Sequence, residues 1–439
     1  EIRDLFDVYR RDLVEGPVSV NFVFEDRRDG TESLSAGINF TAAKFSLPSF
    51  EWAKLPDREA TAEVTVLMKD GQVTSLPVFR IEAGVFRAAG KLELSAGAPG
   101  TGPVLEKIDL DRFILGPTSF AAKIRRAPDR SLLIDIDGSG FDAAPFISQD
   151  LGGIDAPELP ALRLTGKFGK FWIGTGAPTN NVRLDLQRNA ENWRRIVVEG
   201  ELPAGGKAIS VKMLPTADGH NLSVYSADAG SLLKAMDVTD TIRDGSIEIT
   251  GQRKGGAAAA WRGTAEMKRF RVADAPGFAR LLTIASLTGI NDTISGKGIS
   301  FDRLSFPFTF DNDIATISEA RAVGSELGIT ATGTVDFSQD AIDIRGTIIP
   351  AYTINSLLGN IPLIGTILTG EKGGGIFAAS YTVNGPVEKP EMSVNPLSAL
   401  APGFLRNLLS GSGTSPTDGQ TPDQEERSRE ENAQKPTAQ

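Results

Sequence analysis

Few residues of this chain have the type and spacing that chemistry needs. It contains no cysteine and a single histidine, His220. Thiolate nucleophiles, disulfides and cysteine metal sites are therefore ruled out, as is any motif built on two histidines, such as H-E-x-x-H. His220 stands in Asp218-Gly219-His220-Asn221, a composition that predicts a hairpin turn with a solvated imidazole and not a general base. Ser231-Leu232-Leu233-Lys234 has the S-x-x-K spacing of some serine hydrolases, but the companion motifs are absent and the surrounding pattern is helical. Gly84 to Lys91 is close to a phosphate loop. However, five residues lie between Gly84 and Gly90 where four are needed, and Leu92 occupies the magnesium-binding Ser/Thr position, so we read a strand connection. Gly370-Glu371-Lys372-Gly373-Gly374-Gly375 lacks the G-x-G-x-x-G order and reads as a flexible loop. The pairs Asp135/Asp137 and Asp311/Asp313 have the spacing of one strand face, which predicts solvent-facing carboxylates and not calcium ligands. We expect no catalytic residue, no metal and no cofactor: not an enzyme.

The elements that would position any site are mostly strands. Alternation places Val18, Val20, Phe22 and Phe24 on one face, and Val64, Val66 and Met68 on another before an Asp70-Gly71 turn signal. The same grammar gives Val182, Leu184 and Leu186; Ile209, Val211 and Met213; and Ile247 with Ile249. Phe306, Phe308 and Phe310 share a face, with Pro307 between them arguing for an edge or irregular strand. Ile329, Ala331, Gly333, Val335 and Phe337 oppose a run of threonines, and Ile342, Ile344 and Ile348 follow as the second arm of a hairpin. A single-layer sheet with so much one-sided apolar surface must be covered by a second sheet, by helices, by a partner or by a non-protein apolar ligand.

Helices are few and short. Leu232, Leu233 and Met236 form one apolar stripe after Asp228 to Gly230, and Phe278, Leu281, Leu282 and Ala285 form another entered through Pro276. Both belong to a repeat in which Ala227-Asp228-Ala229, a helix and Asp240-Thr241-Ile242 return about 50 residues on as Ala273-Asp274-Ala275, a helix and Asp292-Thr293-Ile294. A fainter copy begins at Phe141-Asp142-Ala143-Ala144. Near the end, Ile354, Leu357, Leu358, Ile361, Ile364 and Leu368 form an uncharged stretch broken by glycine and proline, and Phe404, Leu405 and Leu408 lie in a last amphipathic segment. These are candidates to meet a membrane or cap the sheet.

The chain is 439 residues long, beyond the roughly 250 to 300 at which one core stops growing, so several domains or an elongated repeat are expected. We divide it into a β-rich region over 1–155, a β-groove with helix-strand repeats over 156–350, C-terminal helices and last strands over 351–410, and a disordered tail over 411–439. A net charge of -10 disfavours nucleic acid as a partner. No stretch approaches the roughly 20 consecutive apolar residues of a spanning helix. The start at Glu1, with Ile2, Leu5, Phe6 and Val8 already amphipathic, leads us to expect an upstream part carrying any anchor.

Several of these segments resemble one family. Ala273 to Phe301, with Pro276, Leu281-Leu282 and Gly296 to Gly298, is similar to the C-terminal region of AsmA-like proteins, especially the YhdP branch. So are Gly328-Ile329-Thr330-Ala331-Thr332-Gly333-Thr334-Val335-Asp336, the run Ile344 to Pro350, Asn355 to Gly365, and Tyr381-Thr382-Val383-Asn384-Gly385 with Pro390. The resemblance spans about 220 to 409, is looser before that, and rests on turns and helix stripes with no catalytic content. It implies a mainly β fold, an elongated and twisted antiparallel groove with short amphipathic helices and a helical C-terminal end. It further implies a bacterial periplasmic protein, held at the inner membrane by an upstream segment, along which phospholipid or another acyl lipid moves toward the outer membrane. Val64, Val66, Val182, Leu184, Leu186, Ile209, Val211, Phe306, Phe308, Phe310, Ile329, Val335, Phe337, Ile342 and Ile344 would then line the groove. The alternative is a scaffold that organises the envelope or assembles outer-membrane proteins by binding protein strands, as proposed for the related TamB-like proteins.

From Gly411 to Gln439 there is no Val, Ile, Leu, Phe, Tyr or Trp, so nothing in that segment can pay for ordering it. Its removal is expected to leave the melting temperature unchanged. A loss of several degrees in a calorimetric scan of the truncated chain would show that the tail packs.

Overall fold

A computed structural model describes residues 13–95, 103–148, 160–203, 205–256, 258–273, 298–325, 327–350, 379–387 and 389–395. It is 70% strand and 4% helix, as the alternation predicts. The strands are β1 (Val14–Glu15), β2 (Ser19–Asp26), β3 (Thr31–Asn39), β4 (Lys44–Leu47), β5 (Trp52–Lys54), β6 (Ala60–Lys69), β7 (Gln72–Ala83), β8 (Phe86–Ser95), β9 (Val104–Leu115), β10 (Thr118–Arg126), β11 (Leu132–Asp142) and β12 (Leu162–Trp172). There follow β13 (Thr179–Arg188), β14 (Trp193–Glu201), β15 (Ala208–Pro215), β16 (Gly219–Ser226), β17 (Ile242–Lys254), β18 (Trp261–Val272), β19 (Ile299–Asp311), β20 (Ile314–Gly324), β21 (Leu327–Asp336), β22 (Ala341–Pro350), β23 (Ala379–Gly385) and β24 (Glu391–Asn395). Two short helices, α1 (Ala144–Ser148) and α2 (Ala229–Ala235), interrupt them.

β1, β4 and β5 make a separate three-stranded sheet. The other 21 strands form one sheet in chain order, β3 pairing with β6 across the small sheet. The sheet is open, and among the described strands β2 and β24 lie at its edges. At the usual spacing of neighbouring strands it extends about 100 Å along its hydrogen-bonding direction. Its pairings are antiparallel with one exception. β11 and β12 run parallel, which corrects the expectation of a wholly antiparallel groove. A parallel pair cannot be closed by a hairpin, and here α1 and the residues up to Ala161 make the crossover. The boundary expected near 155 falls within that crossover, yet the sheet is continuous across it.

Turn chemistry sets the register elsewhere. Asp70 and Gly71 have φ of 52° and 72°, the paired left-handed conformation of the turn that best matches strand twist, and Asn312 and Asp313 repeat it at 46° and 62°. Pro307 lies inside the sheet, not at its edge. It pairs with Thr264 on β18, but the register with β20 shifts between Ser305 and Phe308. The bulge removes the ladder bond that a residue without N–H could not donate.

The two ends of the strands differ. One rim carries α1, α2 and the small sheet, and the packed core lies there. Phe40, Ala43 and Phe45 cover Ala60, Ala83, Phe86 and Leu115. Ala143 meets Phe168, Phe171 and Val182. On α2, Ala229 and Leu233 pack on Met267, Phe270 and Phe301, and Leu232 on Leu202 and Ile209. α2 starts where expected because Asp228 caps it, its Oδ1 accepting from the Ser231 N–H at 3.0 Å. The buried Lys54 ties down the small sheet by donating to the carbonyls of Phe40, Thr41 and Arg58. The opposite rim consists chiefly of hairpin turns, including those at 70–71, 216–218, 312–313 and 337–340.

Between the rims, rings lie flat over glycines of adjacent strands. A Cβ on Gly263 would strike the Thr250 carbonyl oxygen and come within 2.9 Å of Phe308 Cε1. Replacing Gly263 by Ala is therefore expected to cost about 1–3 kcal/mol through overpacking. Gly256→Ala, where a Cβ would meet nothing within 4 Å, is expected to be near neutral. Urea midpoints of the two variants check this, and equal midpoints would show that the sheet yields at Gly263.

Candidate functional site

Because side chains alternate, each strand presents one residue in two to the same face, and the register joins these into rows. One row runs through the partners Leu76, Leu92, Ile108, Ile124, Ile134 and Leu164. It continues through Leu186, Ile196, Met213, Leu222, Gly251 and Gly263. Phe308, Ile317, Gly333, Ile344, Val383 and Met392 complete it. From β7 to β24 it holds only apolar residues and glycine. A second row, nearer the packed rim, passes from Phe22 through Val64, Leu110, Leu184, Val198 and Val224 to Phe306. We call this face inner.

Most of these side chains are half-buried. Of the expected groove residues, Val66, Val182 and Ile209 are buried. Val64, Leu184, Leu186, Val211, Phe306, Phe308, Phe310, Ile329, Val335, Ile342 and Ile344 lie half-buried on the same face. Phe337 departs from the expectation: β21 ends at Asp336, and Phe337 is in the following turn, 44% exposed, touching only the edge of the Phe310 ring cluster at a centroid distance of 6.2 Å. Of the membrane or cap candidates, Ile354, Leu357, Leu358, Ile361, Ile364, Leu368, Phe404, Leu405 and Leu408 lie outside the described residues.

Charge is concentrated on the outer face, where it is paired both along and across strands. Lys107 bridges to Asp109 at 2.9 Å, Arg195 to Asp185 at 2.8 Å, Lys212 to Glu199 at 2.7 Å and Lys268 to Glu266 at 2.8 Å. The Lys107 hydrogen bond, then its charge, holds the Asp109 carboxyl below the usual range. Asp135 and Asp137 are exposed there, Asp135 accepting from Thr165. A shallow concavity of about 650 Å³ lies on this side between Asp109, Lys123, Asp135, Asp185 and Glu199. Of its acids, Asp109, Asp185 and Glu199 are engaged in the ion pairs just named and Asp135 accepts from Thr165. No cluster of metal-ligating side chains occurs among the described residues, and no described helix is long and apolar enough to cross a membrane. Ser231 and Lys234 sit on α2, Ser231 giving its main-chain N–H to the Asp228 cap.

His220 corrects the sequence reading. It belongs to β16, pairs with Pro215 and Arg253 and is 6% exposed. The turn is at 216–218 instead, closed by the Thr216 N–H donating to Gly219 O at 2.8 Å, so β16 starts a residue before the imidazole. Beside it on β17 is Arg253, 4.9 Å from the Trp261 ring, and three strands away on β13 is Arg188, 2% exposed, whose guanidinium is 5.9 Å from the Trp193 ring. Sequence reasoning missed these residues, although a signal existed: Arg188 keeps the parity of Leu184 and Leu186, and Arg253 that of Ile247 and Ile249.

At the far end, the buried Tyr381 hydroxyl donates to Thr330 O at 2.9 Å, and burial pushes it up to about 12, so it remains a donor. No protein-family model, curated protein or solved structure matches the chain. Its function must be argued from the geometry above.

Burial first, then the Arg253 and Arg194 charges, lowers His220 from its ordinary 6.5; the Arg194 main chain opposes this slightly without completing a hydrogen bond. The unfolded chain therefore takes up a proton near 6.5 that the folded one refuses. Stability is full above that value and lost as the pH falls below it toward the lowered folded value. Urea midpoints measured between about pH 7.5 and 5.5 are expected to fall for the native chain and to stay flatter for His220→Phe. Parallel curves would place the imidazole in water.

Proposed function

We propose that the inner face is a groove for acyl chains and that the protein is a non-catalytic lipid-transport scaffold of the bacterial envelope. In this reading it stands in the periplasm between inner and outer membrane, carries phospholipid or a similar acyl lipid, and is held at the inner membrane by an upstream segment. One observation carries the proposal: the unbroken, half-exposed apolar row from Leu76 to Met392. Acyl chains leave water at about 0.8 kcal/mol per CH₂ buried, and a row without polar interruption offers them near-equivalent positions from strand to strand. Exchange along such a row needs no nucleotide. The resemblance to AsmA-like proteins of the YhdP branch supports the same reading.

A second reading has its own support. β2 is an edge strand, and its Phe22, Val23 and Phe24 are 64%, 62% and 52% exposed. Such an edge can template a protein strand, as an envelope-assembly scaffold would require.

Mass spectrometry of the purified chain is expected to find copurified lipid. Placing carboxylates in the row, as Ile124→Asp with Leu164→Glu, is expected to weaken lipid binding at least about tenfold by putting charge where chains lie. The outward substitution Ser223→Glu should not. Binding that survives the inner substitutions, or a chain free of lipid, would overturn the groove and favour the edge-strand reading.

A further inference from the structure

The two edges of the sheet are built differently. Edge strands are ordinarily blunted by shortness, proline, a bulge or charge, because a row of unpaired backbone groups invites another strand. β24 is blunted: it has five residues and follows Lys389-Pro390. β2 has none of these devices. It runs for eight residues, holds one register with β3 throughout, and is free of charge, proline and glycine from Ser19 to Phe24. All of its residues are exposed, Phe22, Val23 and Phe24 by 64%, 62% and 52%. The chain just before β2 does not turn back along this edge. Gly16, with φ of 121°, joins it instead to β1, which pairs with β4 in the small sheet.

The edge is complementary to itself. Two β2 strands laid antiparallel about a two-fold axis at Phe22 set that ring against its own counterpart, Val20 against Phe24 and Asn21 against Val23. Opposed residues point to one side of a sheet, so the inner faces of the two copies look the same way and meet at the paired Phe22 rings. Glu25 and Asp26 fall opposite Ser19 and Val18, so no like charges are opposed. A register displaced by one residue would instead set the inner face of one copy beside the charged outer face of the other. The four rings of Phe22 and Phe24, each about half in water, bring roughly 400 Å² to the contact. The valines and the newly paired backbone add to this, which places the contact near the lower limit of specific interfaces, about 1,000 Å². Pairing β2 with β24 of another copy would use only five of the eight residues and would not close.

We propose that β2 is the interface of a two-fold dimer of this chain, in which two sheets join edge to edge and share one inner face. The proposal is independent of what lies on that face and stands whether or not the groove carries lipid. Where the groove reading holds, the dimer doubles the length of the apolar path. The occupant is a second copy because only the same strand, turned about the axis, supplies matching length, matching parity and no opposed charge at once.

Sedimentation velocity of the full chain, between about 1 and 100 μM, tests this. The wild type is expected to pass from monomer to dimer in that range and to go no further. Phe22→Lys sets two ammonium groups against each other at the axis and is expected to weaken the dimer at least about tenfold. Because Phe22 is exposed, the urea midpoint of the variant should match that of the wild type. Phe22→Glu should weaken the dimer equally, and an equimolar mixture of the two variants should dimerise again, since each lysine then meets a glutamate. A wild type that stays monomeric would overturn the proposal and leave the edge to a strand of another protein. A Phe22→Lys chain that dimerises like the wild type would also overturn it. Two monomeric variants that do not recover on mixing would overturn the two-fold pairing at Phe22. Species larger than a dimer would overturn closed pairing in favour of β2 with β24.

Discussion

The structure depends on the parity of its strands. In a sheet one layer thick, side chains two apart share a face, and a slip of one residue in any pairing would exchange the apolar face for the charged one from that strand onward. Across β7 to β24 no such exchange occurs along the row. The bulges on β7, β9, β19 and β20 and the parallel pairing of β11 with β12 leave Ile134 opposite Leu164 and Phe308 opposite Ile317. Tight turns do much of this work, since a turn of two residues such as Asp70-Gly71 admits only one register.

Given that parity, the apolar face would ordinarily be covered by a second layer, and among the described residues the connections that supply cover are concentrated at one rim. Core-forming excursions leave from one rim: the small sheet with Phe40 and Phe45, α1 with Ala143, and α2 with Ala229 and Leu232. They are short, and they pack on the strand ends nearest to them. The described hairpin turns of the opposite rim, such as those at 70–71, 216–218 and 312–313, are too brief to fold back. Rings that could stand up into the space lie down: Phe308 over Gly263 and Gly251, Phe168 against Gly138 and Gly166, and Tyr381 over Gly346. The middle of the face stays apolar and half-buried among the described residues.

Much of this was legible in the sequence, because alternation is a local signal. The strands around Val64, Val182, Ile209, Ile247, Phe306 and Ile329 were readable from period two alone, and α2 from its Asp228 cap and leucine stripe. Less legible was anything set by pairing between distant strands. His220 sits beside Asp218-Gly219, which looks like a turn, but the ladder to Arg253 takes the imidazole into the sheet. Pro307 suggested an edge, whereas a bulge accommodates it in the interior of the sheet. Phe337 continues the alternation of β21 but falls one residue past its last partner, Asp336 with Ala341. The parallel pair left no mark in the residues, because the choice between parallel and antiparallel belongs to the crossover and not to either strand. The small sheet was missed for a different reason: strands as short as Lys44–Leu47 and Trp52–Lys54 are too brief for periodicity to register.

The contrast between rims also fixes how an amphiphile would lie. Several charged residues on the outer face are paired with one another, which weakens the field they offer. On the inner face the packed rim is the driest place, and an ionic group there would lose water without gaining a partner. On the groove reading proposed above, the wetter turn rim would favour the head of an amphiphile and the packed rim its chains, and neighbouring strands repeat that polarity because the rows run perpendicular to them. A molecule passing from strand to strand would then keep its orientation.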